Sequence, residues 1–144
     1  MIGRYPDEVV RVVCAFFTPF VALFGLYVIA HGHYGPGGGF AGGLILAVSA
    51  IIPRLTLPVD LAERVIPPII APLAGAAGMG LFLVCAALPI AFGGDLLDYG
   101  VLAVAGMAES YARYLGILVV EIAVGLAVFG AILLLFDVVL AQED

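Results

Sequence analysis

Two histidines, seven glycines and a proline share the thirteen residues His31 to Gly43, HGHYGPGGGFAGG. Three chemistries fit such a stretch. Gly37, Gly39 and Gly42 satisfy G-x-G-x-x-G, with Asp60 following at about the distance of a ribose-binding acid. That fingerprint holds a pyrophosphate only between a strand and a soluble crossover helix. Here the flanks are long apolar stretches, which excludes a dinucleotide site. His31 and His33 form H-x-H, and on an extended segment both rings would point one way, as two corners of a metal site. No Cys, Asp or Glu lies nearby in sequence to complete it. The remaining readings are histidines bonded to loop carbonyls and histidines that take part in ion or proton traffic.

Glu121 is the other residue whose type and place imply chemistry. Counted from Tyr114 it lies about 10 Å into an apolar run, at hydrocarbon depth. A charged group there costs about 2.5–3.5 kcal/mol on insertion scales, so it must face protein, water or a partner. Gly125, one helical turn further on, leaves room for a neighbour to approach the carboxyl. Two roles stay open, proton or cation handling and a protonated, hydrogen-bonded packing acid. Asp137 lies near the end of the same run and reads as solvated. Ser49 and Ser110 each lie far from both histidines in sequence, so no hydrolytic constellation forms and the chain does not read as an enzyme.

The elements that must position these residues are set by composition. The 144 residues are 65% hydrophobic and 11% charged, against about 45–50% and about 25% in soluble domains. Uncharged runs from Val12 to Ala30 and Val65 to Gly94, and the run Tyr114 to Phe136 with only Glu121 inside it, each reach the roughly 20 residues a helix needs to cross a bilayer. The fold class is an all-α integral membrane protein. A net charge of -6 without lysine excludes nucleic acid. Cys14 and Cys85 sit in apolar runs and read as small hydrophobes rather than a disulfide. The first apolar stretch is too long for a signal peptide and lacks an A-x-A site, so it is expected to remain in the mature chain.

Four helices follow, at about 7–30, 39–57, 68–92 and 112–139, in one membrane domain spanning 1–144. Pro6, Asp7 and Glu8 suit the first helix start, and Pro19 predicts a kink that leaves the Ala15 carbonyl for Thr18 or a neighbour to satisfy. The stretch left for the second helix before Pro53 and Arg54 is short, so that helix is expected to start within the glycines or to continue past Pro53 towards Leu57. LPVDLAERVIPP reads as a polar connector, and the segment from Gly93 to Tyr114 as a mixed loop with a short interfacial helix. Ala71, Gly75 and Met79, with Ala74, Gly78, Ala76 and Gly80 beside them, make the third helix the expected centre of the bundle. Cytoplasmic termini put Arg4, Arg11, Arg54 and Arg64 inside and Arg113 outside, as the positive-inside bias requires. Tyr5, Tyr27, Tyr34, Tyr99, Tyr111 and Tyr114 all fall near membrane surfaces.

The glycine stretch also carries a resemblance. GHYGPGGGFAGG resembles the signature G-H-x-x-P-G-G-G-F-x-G-G of the B subunit of Mrp-type multisubunit sodium/proton antiporters, the MnhB or MrpB-like family. Gly32, His33, Pro36, Gly37, Gly38, Gly39, Phe40, Gly42 and Gly43 fall on it, and Glu121 matches an acid on that family's last helix. The resemblance implies a non-catalytic subunit of the cell membrane, without cofactor, assembled with large complex I-like antiporter subunits and several small ones. Na+ and H+ would be the transported ions, Glu121, His33 and His31 the ion-pathway candidates, and the glycines the structural motif. The same module occurs in membrane-bound hydrogenases, so the alternative is a membrane-arm subunit of a redox-driven ion pump.

Overall fold

The computed structural model describes residues 7–103 and 107–142. Arg4, Tyr5 and Pro6, which the sequence places at the inner surface and at the first helix start, lie outside them, as do Glu143 and Asp144. The described elements are α1 (Glu8–His31), α2 (Gly38–Thr56), α3 (Val59–Val65), α4 (Ile70–Ala91), a 3₁₀ turn (Tyr99–Leu102) and α5 (Glu109–Ala141). Four stretches are long and apolar enough to cross a membrane: Glu8–His31, Gly38–Thr56, Val59–Ala91 and Glu109–Ala141. This is a multi-pass membrane protein.

The third stretch is broken between α3 and α4, where Pro67 and Pro68 remove two backbone donors. The predicted polar connector is therefore a helix in its own right, with Ala62 buried and Asp60 in its first turn. As expected, α2 starts within the glycines and continues through the buried Pro53 to Thr56, and its 19 residues give about 28 Å, close to the hydrocarbon thickness. In α1 the Thr18 hydroxyl donates to the Cys14 carbonyl at 2.7 Å, one residue away from the carbonyl that Pro19 deprives.

The helices pack in the spatial order α1, α2, α5, α4. Gly42 of α2 meets Gly25 and Ile29 of α1, so these two run antiparallel. Gly39 and Gly43 meet Glu121 and Gly125, so α2 and α5 run parallel, and Gly75 and Gly78 meet Gly130 and Ala127, so α4 returns antiparallel to α5. Glu8 and Ala141 consequently lie at one end of the bundle with Arg11, Arg54 and Arg64, while Arg113 lies at the other.

The expected central helix is displaced by this arrangement. α4 packs only on α5 and the 3₁₀ turn, whereas α5 touches α1, α2, α4 and that turn. The small residues of α4 are spent on one side: Ala71 is fully buried and Gly78 lies on α5 backbone, but Gly80 faces open space and Met79 is exposed. The interior is built from small side chains, Ala47, Ala50, Ala71 and Ala123 with Leu133. In lipid, close backbone approach replaces apolar burial as the source of helix association. Large apolar side chains such as Phe16, Phe20, Leu23 and Phe24 point outward. At the Arg113 end, that guanidinium holds Glu109 at 2.6 Å and Asp98 at 3.3 Å, pinning the 3₁₀ segment to α5.

Candidate functional site

The turn between α1 and α2 occupies only Gly32 to Gly37. The Gly32 and Tyr34 N–H groups donate to the carbonyls of Ile29 and His31, which extends the last turn of α1. The chain then reverses through Gly37 at φ +147° and Gly38 at φ +83°. Residues with a Cβ rarely adopt either conformation. Two consecutive glycines are therefore what allows α2 to start directly beside the end of α1.

The same glycines admit Glu121. A Cβ on Gly39 would overlap the Glu121 carbonyl oxygen, and one on Gly43 would stand 2.5 Å from the Gly125 oxygen, so α2 and α5 touch backbone to backbone. Above that contact the Glu121 carboxyl fills space that side chains would otherwise take. A Cβ on Gly32 would lie 2.6 Å from Oε2, and one on Gly38 3.7 Å from Oε1. Gly38 is the first residue of α2, and its N-cap Gly37 supplies no side-chain cap. The carboxyl thus sits at the positive end of a helix dipole whose first N–H groups lack a side-chain acceptor. Its Oε2 is buried and has no hydrogen-bond partner among the described residues.

The glycine motif works chiefly inside this chain. Gly42 seats α1, Gly39 and Gly43 seat α5, and Gly37 and Gly38 form the reversal. Pro36 and Phe40 stay out of the site: both are exposed, Phe40 at 66%.

The two histidines part company. His31 is the last residue of α1, exposed, with its ring stacked on Tyr27 at 5.3 Å and 12°. His33 turns inward, where its ring lies 4.1 Å from that of Tyr34 and meets Tyr114 edge-on at 4.6 Å. The extended H-x-H geometry does not form, because helix runs through His31. Nor does His33 bond a loop carbonyl: both its nitrogens are buried without a partner among the described residues. Tyr27, Tyr34, Tyr111 and Tyr114 join the two histidines in one aromatic layer at this end of the bundle. Among the described residues no group of three His, Cys, Asp or Glu could hold a metal ion.

Two features escaped the sequence. Asp137, expected to be solvated, is held by Arg54, whose side chain is only 9% exposed. The guanidinium also donates to the Ala50 carbonyl at 3.3 Å. This pair borders a cavity of about 250 Å³ under α3, with Glu63 and Ile66 on its wall. The partners lie 83 residues apart, and no local pattern links them. At the other end Tyr99 is buried with its ring on Gly116, and its hydroxyl has no partner among the described residues. Burial, and then the neighbouring Cys85, push its phenol above the ordinary value of 10.0.

The family model described as a domain related to the MnhB subunit of Na+/H+ antiporter covers residues 9–134, from the first turn of α1 through the glycine reversal and Glu121.

Proposed function

We propose that this chain, which belongs to the family of domains related to the MnhB subunit of Na+/H+ antiporters, is a non-catalytic subunit of a cation/proton antiporter and lends Glu121 to its ion pathway. One observation carries this reading: a buried carboxyl oxygen without a partner, in a gap that Gly32 and Gly38 keep free of side chains. An acid kept at membrane depth and left unpaired is costly as mere packing and useful as a station for a mobile positive charge. His33, one residue from Gly32, has two more unpartnered nitrogens and is the second candidate. His31 lies outside this gap, and its stacked, exposed ring suits the interfacial layer.

In this reading the chain assembles in the cell membrane with large antiporter-type subunits and other small ones. Its outward apolar faces on α1 and α4 meet partners or lipid. Both described ends of the chain lie on the cytoplasmic side, because Arg11, Arg54 and Arg64 share that end of the bundle.

The test is Glu121→Gln in the intact complex, followed as Na+-driven proton movement in everted membrane vesicles. Transport falls by an order of magnitude or more on loss of a station in the route, about 1.4 kcal/mol per decade, while the subunits still co-purify. Unchanged transport with unchanged assembly leaves Glu121 as packing alone.

A further inference from the structure

We infer that the cavity under α3 binds the zwitterionic headgroup of a phosphatidylethanolamine-type lipid, with the phosphate on Arg54 and the ammonium towards Glu63. The space arises because α3 packs on α2 and stands off the end of α5. It measures about 250 Å³, the room of about eight water molecules, which suits a phospholipid headgroup. Arg54 lies two residues before the end of α2 and Asp137 four before the end of α5, so the cavity is at the level of the membrane surface, where headgroups lie. Ile66, Pro68 and Leu140 make much of its wall apolar, and the neighbouring Ile69 is exposed, which offers the first methylenes of a lipid a track into the membrane.

A guanidinium carries five N–H donors. In Arg54, Nε and Nη2 face the two Asp137 oxygens and Nη1 donates to the Ala50 carbonyl, which leaves one N–H on each Nη nitrogen without an acceptor among the described residues. Such donors on a buried cation call for acceptor oxygens, and a phosphate offers several. Charge balance selects the other half of the ligand. Arg54 and Asp137 neutralise one another, so Glu63 leaves the wall with one net negative charge, while Asp60 and Arg64 are exposed and off the wall. The helix ends are mixed in sign: α2 and α5 finish here with their carbonyls, and α4 begins beside Pro68 with its N–H groups. A bare anion is opposed by Glu63, and a bare cation leaves the Arg54 donors without acceptors. A headgroup with a phosphate and a primary ammonium answers both. Choline has no N–H to give Glu63, and the glycerol of phosphatidylglycerol has no positive charge.

The test uses the intact complex in proteoliposomes with photoactivatable phosphatidylethanolamine, phosphatidylcholine and phosphatidylglycerol, each carrying the same diazirine at the ester end of one acyl chain. Peptide mass spectrometry then maps the cross-links. The expected result is labelling around Ile66 and Leu140 by the ethanolamine lipid at about threefold or more over the other two, the scale of one ion pair at an accessible site. Glu63→Gln, at an exposed position, should bring the ethanolamine lipid down to the level of the choline lipid there, while total labelling of the complex stays unchanged. An excess of soluble glycerophosphoethanolamine should leave the labelling in place. Equal labelling by the three lipids, a preference for phosphatidylglycerol, or a preference that survives Glu63→Gln overturns the inference. So does displacement by glycerophosphoethanolamine, which makes the ligand a soluble phosphoester, and so does a cavity that no lipid labels, which gives the space to a partner subunit.

Discussion

Arg54 holds Asp137 side-on, with Nε 2.6 Å from Oδ1 and Nη2 donating to Oδ2 at 3.2 Å, so the end of α2 is tied to the end of α5. The acid is 27% exposed and the guanidinium 9%. Removing one partner strands the other in a poorly solvated place. Asp137→Asn is expected to cost more than the roughly 1 kcal/mol of an exposed pair and up to the roughly 3–5 kcal/mol of a buried one. Replacing both, as Arg54→Met with Asp137→Leu, should recover most of that loss. Thermal unfolding of the detergent-purified protein measures both, and equal Tm values for Asp137→Asn and wild type would show that the pair contributes nothing.

The seam between α2 and α5 has no room for a methyl group. Gly43→Ala places its Cβ 2.5 Å from the Gly125 oxygen and 3.0 Å from its Cα, so two backbones must separate. Overpacking of this kind typically costs about 1–3 kcal/mol. Gly80→Ala, on the open face of α4, adds a methyl that meets nothing and should leave Tm unchanged or slightly raised. The contrast between these two variants, measured side by side, separates packing from glycine flexibility.

Tyr99 gives a pH prediction. Its phenol titrates above the ordinary value of 10.0, chiefly through burial, so folding favours the neutral form. That contribution is complete below pH 10 and disappears as pH rises through the elevated value. Wild-type Tm should therefore fall more steeply than that of Tyr99→Phe in alkaline buffer. At neutral pH Tyr99→Phe should be as stable as wild type or more so, since removing an unpaired buried hydroxyl relieves a cost of about 1–3 kcal/mol.

His33→Phe separates packing from ion traffic on the turn. Phe keeps an aromatic ring between Tyr34 and Tyr114 and removes only two nitrogens that bond nothing. Unfolding stability is expected to stay within about 1.5 kcal/mol of wild type, the range of tolerated shape-conserving swaps, while Na+-driven proton movement falls. Normal transport in a stable His33→Phe complex would leave His33 a packing ring.

Much of this arrangement is legible in the sequence, for physical reasons. Uncharged runs of helix length report crossings because lipid tolerates no unpaired backbone, and Glu121 stands out because an acid inside such a run is costly. What the sequence conceals is which surfaces meet. The small residues of α4 suggest a central helix, yet they serve one neighbour, and α5 becomes the centre through Gly125, Gly130 and Ala123, which are spread among bulky residues. The glycines after His33 announce close approach without saying to what, and the answer is this chain's own α1 and α5. Asp137 reads as solvated because nothing near it in sequence reveals Arg54, and α3 is hidden because seven polar and apolar residues look alike in a connector and in a short helix.

The place of α5 between the hairpin and α4 bears on how the protein is made. α1 and α2 form one hairpin, and among the described residues the third crossing is held chiefly by α5, with only a light contact between α2 and α3 besides. During synthesis the α1–α2 hairpin can close on its own, but the third crossing has little to hold it until α5 is inserted, and only then does Glu121 reach the glycine gap. A chain stopped anywhere before Gly130 presents loose, glycine-lined helix faces to the bilayer, which is the kind of surface that membrane quality control removes. Completion of α5 is thus also the moment at which the subunit becomes fit to join a larger assembly.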